Sequence, residues 1–376
     1  MLGERALRLR ELRRAGARGD EIEQLLAYTA NPFDIGRLDP APSLPLADEP
    51  FVETWRRWAE EAQALDVRQE SSHRTGAFQV LRRHLPELAF PVAQGVSHWP
   101  SYRQATLHGA DPATLPGATG LSLEVPSSLE LEVAPSTAGA VPILTVRDRA
   151  SFVTLVRALC KGNEPAPVPD ALGGLMITGY SNWPRLRELY GPAFAEKATA
   201  DSGDRFMLLS DGPYSAVSAE RLDLEPERWR ELSLQLRRAH EEIHYLMRRL
   251  LGAMRNNLFD ELIAEYAGMH QAWGVFRADW LRLFLGLGEA ALPGRLDVYR
   301  GDPPLSEGAF EALGVLVARA IDTLEAFDRR IDDGRFENGR LVAVVGALAS
   351  QSLEKLASAR GADRLHAAFE RLTARL

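Results

Sequence analysis

The chain has 376 residues, a formal net charge of −8 and a hydrophobic fraction of 45%, which is typical of a globular protein with one large domain or two smaller ones. Its basic residues are scattered along the sequence, which excludes a basic patch for nucleic acid, so we expect no nucleic-acid partner. No segment approaches 18 consecutive apolar residues, and the N-terminus lacks the apolar core of a signal peptide. We therefore expect no membrane partner and a cytoplasmic location; the sequence does not indicate an oligomeric state.

Helical periodicity predicts most of the elements. The first predicted helices span 3–28 and, after a proline-rich connector, about 50–65 and 70–87. Further helices are predicted at about 148–161 and 183–197. From 225 onward the pattern is helical nearly to the end, with loops near 252–257, 287–304 and 332–338.

Strand patterns are confined to the middle of the sequence. Residues 121–125 and 129–133 alternate with period two around a turn-like Pro126, which predicts a hairpin with one solvated face. Short apolar runs predict further strands at 142–146, 174–178 and 205–210. The order of elements predicts an α+β fold that is mainly α-helical with a small, mostly antiparallel sheet. We expect an N-terminal helical region (1–118), a small α+β region (119–224) and a helical metal-binding region (225–376).

Several chemistries lack their sequence signals. The single cysteine, Cys160, excludes an intrachain disulfide, and its apolar helical surroundings predict a buried structural thiol. The sequence contains no GxSxG, no P-loop and no GxGxxG followed by a helix. A serine hydrolase and a nucleotide-binding protein therefore have no support.

The pattern HExxH occurs once, on the amphipathic helix predicted at 226–251, and comprises His240, Glu241 and His244. Imidazoles at positions i and i+4 point the same way, here toward the apolar face. Neutral imidazole is a good ligand for zinc (Zn2+). Glu241 lies about 100° around the helix from His240, where it could act as a general base toward a metal-bound water. The pattern therefore predicts a zinc site.

A second acidic helix offers the third ligand that zinc normally requires. Glu261 and Glu265 share one face of this helix with Gly268, and small residues on that face would permit close approach to the histidine helix. The 252–257 segment is suited to reversing the chain, which predicts an antiparallel helix hairpin. Helix geometry lets either carboxylate reach the height of the histidines, so it does not choose between them.

Together the two motifs resemble the gluzincin metalloproteases, thermolysin-like enzymes in particular, over about residues 240–268. That family has HExxH followed by a helix with the pattern (Asn/Asp)-Glu-x-x-(Ser/Ala)-(Asp/Glu)-x-x-Gly. The resemblance implies that Glu261 is the third zinc ligand and that Glu265 is an outer carboxylate that orients a ligand imidazole. It also makes 205–210 a candidate sheet edge along which an extended substrate would bind.

Three further residues are candidates for contacts with the substrate or the transition state. His270 follows Glu261 on the same predicted helix, Arg277 lies among aromatic residues, and Tyr299 lies further along the chain. A buried arginine would need an anionic partner, so a structural ion pair is the favoured explanation for Arg277.

These observations predict a zinc-dependent hydrolase that acts on a peptide or a small amide-containing molecule. His240, His244 and Glu261 would bind zinc, and Glu241 would deprotonate the water at the fourth position. One alternative is a non-heme di-iron oxygenase, because Glu241 and His244 also form an ExxH pair. The other is a non-catalytic helical interaction module that retains a metal site.

Overall fold

The computed structural model describes residues 2–68, 74–197, 202–254, 257–287, 295–331 and 334–376. Its helices are α1 (Leu2–Arg14), α2 (Asp20–Tyr28), α3 (Val52–Arg68), α4 (Gly76–His84), α5 (Pro100–His108), α6 (Arg149–Cys160), α7 (Trp183–Tyr190), α8 (Phe194–Lys197), α9 (Pro226–Leu251), α10 (Leu258–Trp273), α11 (Ala278–Leu285), α12 (Glu307–Asp328), α13 (Asn338–Ala349), α14 (Leu353–Leu356) and α15 (Gly361–Thr373). Its strands are β1 (Leu129–Ala134), β2 (Val141–Val146), β3 (Gly174–Tyr180) and β4 (Asp204–Ser210). The predicted fold class, α+β and mainly helical, is confirmed.

The chain divides into two compact units, which are Met1–Leu46 with Pro213–Leu376, and Ala47–Gly212. In the first unit the N-terminal helices pack against C-terminal ones. The buried carboxylate of Glu354, on α14, accepts hydrogen bonds from Arg8 Nε (3.0 Å) and Thr29 Oγ1 (2.5 Å). The three predicted regions therefore do not coincide with the two units. Contacts between residues so far apart along the chain, such as Arg8 and Glu354, leave no local pattern in the sequence.

The second unit contains a four-stranded sheet in the order β1-β2-β4-β3. β1 pairs with β2 and β3 pairs with β4 in antiparallel fashion, whereas β2 and β4 are parallel. The sequence analysis predicted that 129–133 forms a hairpin with 121–125. In the structure, its hairpin partner is β2. Leu121 and Leu123 are buried, but the N–H of Leu121 bonds to the carbonyl of Leu88 and not to a strand. The alternation of apolar and polar residues at 121–125 therefore reflects burial of one side of the segment, without hydrogen bonds to a neighbouring strand.

β4 is an interior strand of this sheet. It is hydrogen-bonded to β2 on one side and to β3 on the other, and all seven of its residues are buried. The expectation that 205–210 offers an edge to an extended substrate is therefore wrong, because β-strand addition requires unpaired backbone groups. The predicted burial of Cys160 is also wrong, since this last residue of α6 is exposed.

The second unit also contains a carboxyl group with an unusual proton affinity. Burial raises the pKa of Glu87 from 4.5 to about 7, because the hydrogen bond that its Oε2 accepts from the hydroxyl of Tyr180 (2.6 Å) only partly offsets the lost hydration. The folded chain thus holds this proton more tightly than the unfolded chain does, and stability falls as the pH rises from about 4.5 to 7.

Glu87→Gln should remove this pH dependence. We expect the wild type to lose up to about 3 kcal/mol of unfolding free energy through Glu87 between pH 5 and pH 8, and the variant to lose none of that contribution. Urea unfolding of both proteins across this range measures the difference. Parallel stability curves for the two proteins would contradict the assignment.

In the first unit, α9 and α10 form the helix pair that carries the predicted metal site. α9 ends at Gly252, which has a φ of 77°, and the Asn257 side chain caps α10 by accepting from the N–H groups of Phe259 (3.0 Å) and Asp260 (3.2 Å). A Cβ at Gly268 would lie only 3.2 Å from the backbone nitrogen of His240. The two helices therefore touch backbone to backbone at the height of the predicted ligands.

Candidate metal centre

His240 and His244 of α9 and Glu261 of α10 form a compact buried group. Each offers one ligand atom, and these atoms all lie within 4.8 Å of one another. The two Nε2 atoms are 3.1 Å apart. Glu261 Oε2 lies 3.3 Å from His240 Nε2, and its Oε1 lies 3.4 Å from His244 Nε2. These three side chains could bind a metal ion.

The spacing of the three ligand atoms agrees with this. A tetrahedral ion with bonds of 2.0–2.1 Å has ligand-to-ligand edges of about 3.3 Å. Imidazole lone pairs and a carboxylate that face one another this closely repel unless a cation or a proton lies between them. The arrangement of these three side chains therefore favours a bound cation or proton between them.

The pKa shifts of His244 and Glu261 also indicate that the metal-free group favours a positive charge. Burial lowers the pKa of His244, but the hydrogen bond to Glu261 and the charge of that carboxylate outweigh it and raise the pKa to about 9. Burial likewise disfavours the Glu261 carboxylate, yet its interactions with His240 and His244 hold its pKa well below the usual value. Without a metal, a proton supplies the positive charge that the group requires.

Glu241 lies beside this group without belonging to it. Its side chain is buried, and burial raises its pKa, against the opposing charges of His240 and His244. Within the described part of the chain its carboxylate has no hydrogen bond or ion pair in the structure. It is thus a carboxylate placed next to the candidate metal position and available to accept a proton.

Of the two carboxylates that the sequence left open, Glu261 is the one in the group. Glu265 Oε1 lies 3.8 Å from His240 Nδ1, on the far side of that ring from the ligand nitrogen. The hydroxyl of Tyr214 is closer to both, at 3.2 Å from His240 Nδ1 and 2.9 Å from Glu265 Oε1. Glu265 is therefore connected to the imidazole of His240 through the hydroxyl of Tyr214.

Two residues of the site, Tyr214 and Arg295, were missed by the sequence interpretation. Arg295 Nη2 pairs with Glu265 Oε1 at 2.7 Å and lies 3.5 Å from Glu261 Oε2. Neither residue belongs to a recognisable spacing pattern, because each reaches the helix pair from a separate loop or short turn. The predicted Tyr299 does lie here: burial raises its pKa well above the usual value, helped by the charge of Glu261.

His270 and Arg277 lie outside the group. The imidazole of His270 is fully buried, with Nε2 2.7 Å from Asp328 Oδ1 and Nδ1 3.1 Å from the carbonyl of Gly334. It is nine residues beyond Glu261, about 13 Å along α10. Arg277 is half-exposed and pairs with Asp279 at 2.6 Å. Partners other than a substrate therefore account for both side chains.

The fold and the site together define a mainly helical α+β protein with a buried His-His-Glu group. A family model described as a family of unknown function (DUF7005) matches residues 10–360, and the chain belongs to this family. No curated protein and no solved structure matches it. Among the described residues, no helix has both the length and the apolar character needed to cross a bilayer. The gluzincin resemblance thus rests on residues 240–268 alone.

Proposed function

We propose that this protein is a zinc-dependent hydrolase that cleaves a peptide or amide bond. The observation that carries the proposal is the group of His240, His244 and Glu261, whose ligand atoms are spaced 3.1–3.4 Å apart. Two imidazoles and one carboxylate form a ligand set that catalytic zinc uses, with a fourth position left for water. The gluzincin-like motifs at 240–268 support zinc in particular.

Each side chain would have a separate task. Zinc at this position would polarise a substrate carbonyl and acidify a bound water. Glu241 would accept the proton of that water, because it is the carboxylate beside the group to which no side chain of the described residues is hydrogen-bonded or ion-paired. Tyr299, whose pKa is raised by burial and by the charge of Glu261, would be the candidate to donate its proton to a substrate oxygen.

The burial of the group favours a small or narrow substrate. His240, His244, Glu241 and Glu261 are each at most 7% exposed. A bulky folded protein could not bring a peptide bond to such a position without local rearrangement. We propose a short peptide or a small amide-containing molecule as substrate.

Elemental analysis of the purified protein tests the metal. We expect about one zinc ion per chain in the wild type and none in His240→Ala, because two ligands do not hold zinc tightly. His366→Ala serves as the matched control, since it removes a histidine of the same unit that is 28% exposed and pairs with Glu370. Stoichiometric iron in place of zinc would favour an oxygenase, and a wild type that neither contains nor takes up metal would overturn the proposal.

A further inference from the structure

The hydroxyl of Tyr214 links His240 to two charged residues. It lies 2.9 Å from Glu265 Oε1 and 3.2 Å from His240 Nδ1. Glu265 also forms an ion pair with Arg295, at 2.7 Å. In this contact the phenol O–H of Tyr214 is the donor and the carboxylate oxygen of Glu265 is the acceptor.

This direction fixes the tautomer of the imidazole. With its proton directed to Glu265, the phenol oxygen can only accept from His240, so the proton of the neutral ring must reside on Nδ1. The lone pair is then on Nε2, the atom that faces His244 and Glu261. The hydrogen-bond network thus presents the correct nitrogen to a metal ion.

The backbone that directly follows Tyr214 is strained. Ser215 and Ala216 follow directly and have φ values of 53° and 58°, in the left-handed region that non-glycine residues rarely adopt. Non-glycine residues in this region are strained and persist only where the surroundings enforce them. Part of that enforcement comes from Ser233, whose Oγ accepts from the N–H of Tyr214 at 3.0 Å.

Arg295 connects the strained turn to the carboxylate. Its Nη1 donates to Ser215 Oγ at 2.5 Å, and its guanidinium lies 5.1 Å from the centre of the Tyr214 ring. The same guanidinium pairs with Glu265. One cation therefore holds both the turn that carries the phenol and the carboxylate to which the phenol donates.

We propose that Tyr214 is a positioning residue of the metal centre, held by Glu265 and Arg295, and that it sets the tautomer and ring orientation of His240 for metal binding. The inference rests on the proposed function in that it requires a metal at His240, His244 and Glu261. It assigns the role of orienting the imidazole to the phenol, with Glu265 acting through it.

Tyr214→Phe tests the inference directly. We expect its zinc affinity, measured by competition with a chromogenic chelator, to fall about 10- to 100-fold. Tyr266→Phe is the matched control, because Tyr266 is also buried and also donates to a carboxylate, that of Asp328 at 2.8 Å, outside the metal group. The control should lose comparable stability and keep its zinc affinity.

Nitrogen-15 NMR of the zinc-loaded wild type gives a second readout that does not depend on how the variant folds. We expect the His240 ring to carry its proton on Nδ1, and a ring protonated on Nε2 would overturn the inference. An unchanged zinc affinity in Tyr214→Phe would also overturn it, while leaving the proposed function intact. Failure of the wild type to bind zinc would instead defeat the proposed function.

Discussion

Glu241→Gln is expected to lower the rate of hydrolysis by about 10²- to 10⁴-fold while the zinc content stays unchanged. Glutamine has nearly the same shape but cannot accept a proton, so the variant separates metal binding from proton transfer. The separation is possible because Glu241 lies beside the group of His240, His244 and Glu261 and is not one of its members.

The measurement is the turnover of the best-cleaved members of a peptide and small-amide library, together with elemental analysis of the same samples. Glu242→Gln is the matched control: it makes the identical change at the next residue, where the carboxylate is 23% exposed and pairs with Arg238 at 3.0 Å. The control should keep its activity. An active Glu241→Gln would refute a general-base role, and loss of zinc from it would mean that Glu241 is a ligand.

The second large effect concerns pH. The pKa of His244 in the metal-free protein is about 9, because the hydrogen bond to Glu261 and its charge outweigh the lowering by burial. Below that pH the ring is protonated, and a metal ion must displace the proton before Nε2 can bind it. The apparent zinc affinity should therefore rise about tenfold per pH unit between pH 7 and 9, and level off above that range.

Calorimetric titration with zinc in buffers of different ionisation enthalpy measures both consequences. At pH 7, zinc binding should release about one proton from His244, in addition to any released by the bound water. His366→Ala should show the same pH dependence as the wild type, since that ring lies outside the group. A zinc affinity that stays constant from pH 7 to 9 would show that His244 is neutral in the metal-free protein.

Helical periodicity predicted the part of the site that lies on one helix. HExxH on an amphipathic stretch placed His240 and His244 on one face, and a fixed rise per residue makes that inference secure. The choice between Glu261 and Glu265 was different. Both carboxylates share a face of α10, so the rotation and tilt of the two packed helices decide which one meets the histidines, and these depend on tertiary packing.

The residues that surround the ligands had no local signal. Tyr214 lies in a strained turn before α9, and Arg295 lies in a loop before α12, so only the folded chain brings them to Glu265. The sheet shows the same limit. Period-two alternation predicted β1 correctly, but at 121–125 the same pattern marks a segment that is buried on one side and is not part of the sheet; the N–H of its Leu121 bonds to the carbonyl of Leu88.

The contact at Gly268 controls how closely Glu261 approaches the two imidazoles. A methyl group there would lie 3.2 Å from the nitrogen and 3.3 Å from the Cα of His240, which are backbone atoms that cannot rotate away. A Cβ at position 268 would therefore force the two backbones apart by a few tenths of an ångström, which would move Glu261 away from the imidazoles. Glycine at position 268 thus permits the close helix contact that holds Glu261 within 3.3–3.4 Å of the two imidazoles.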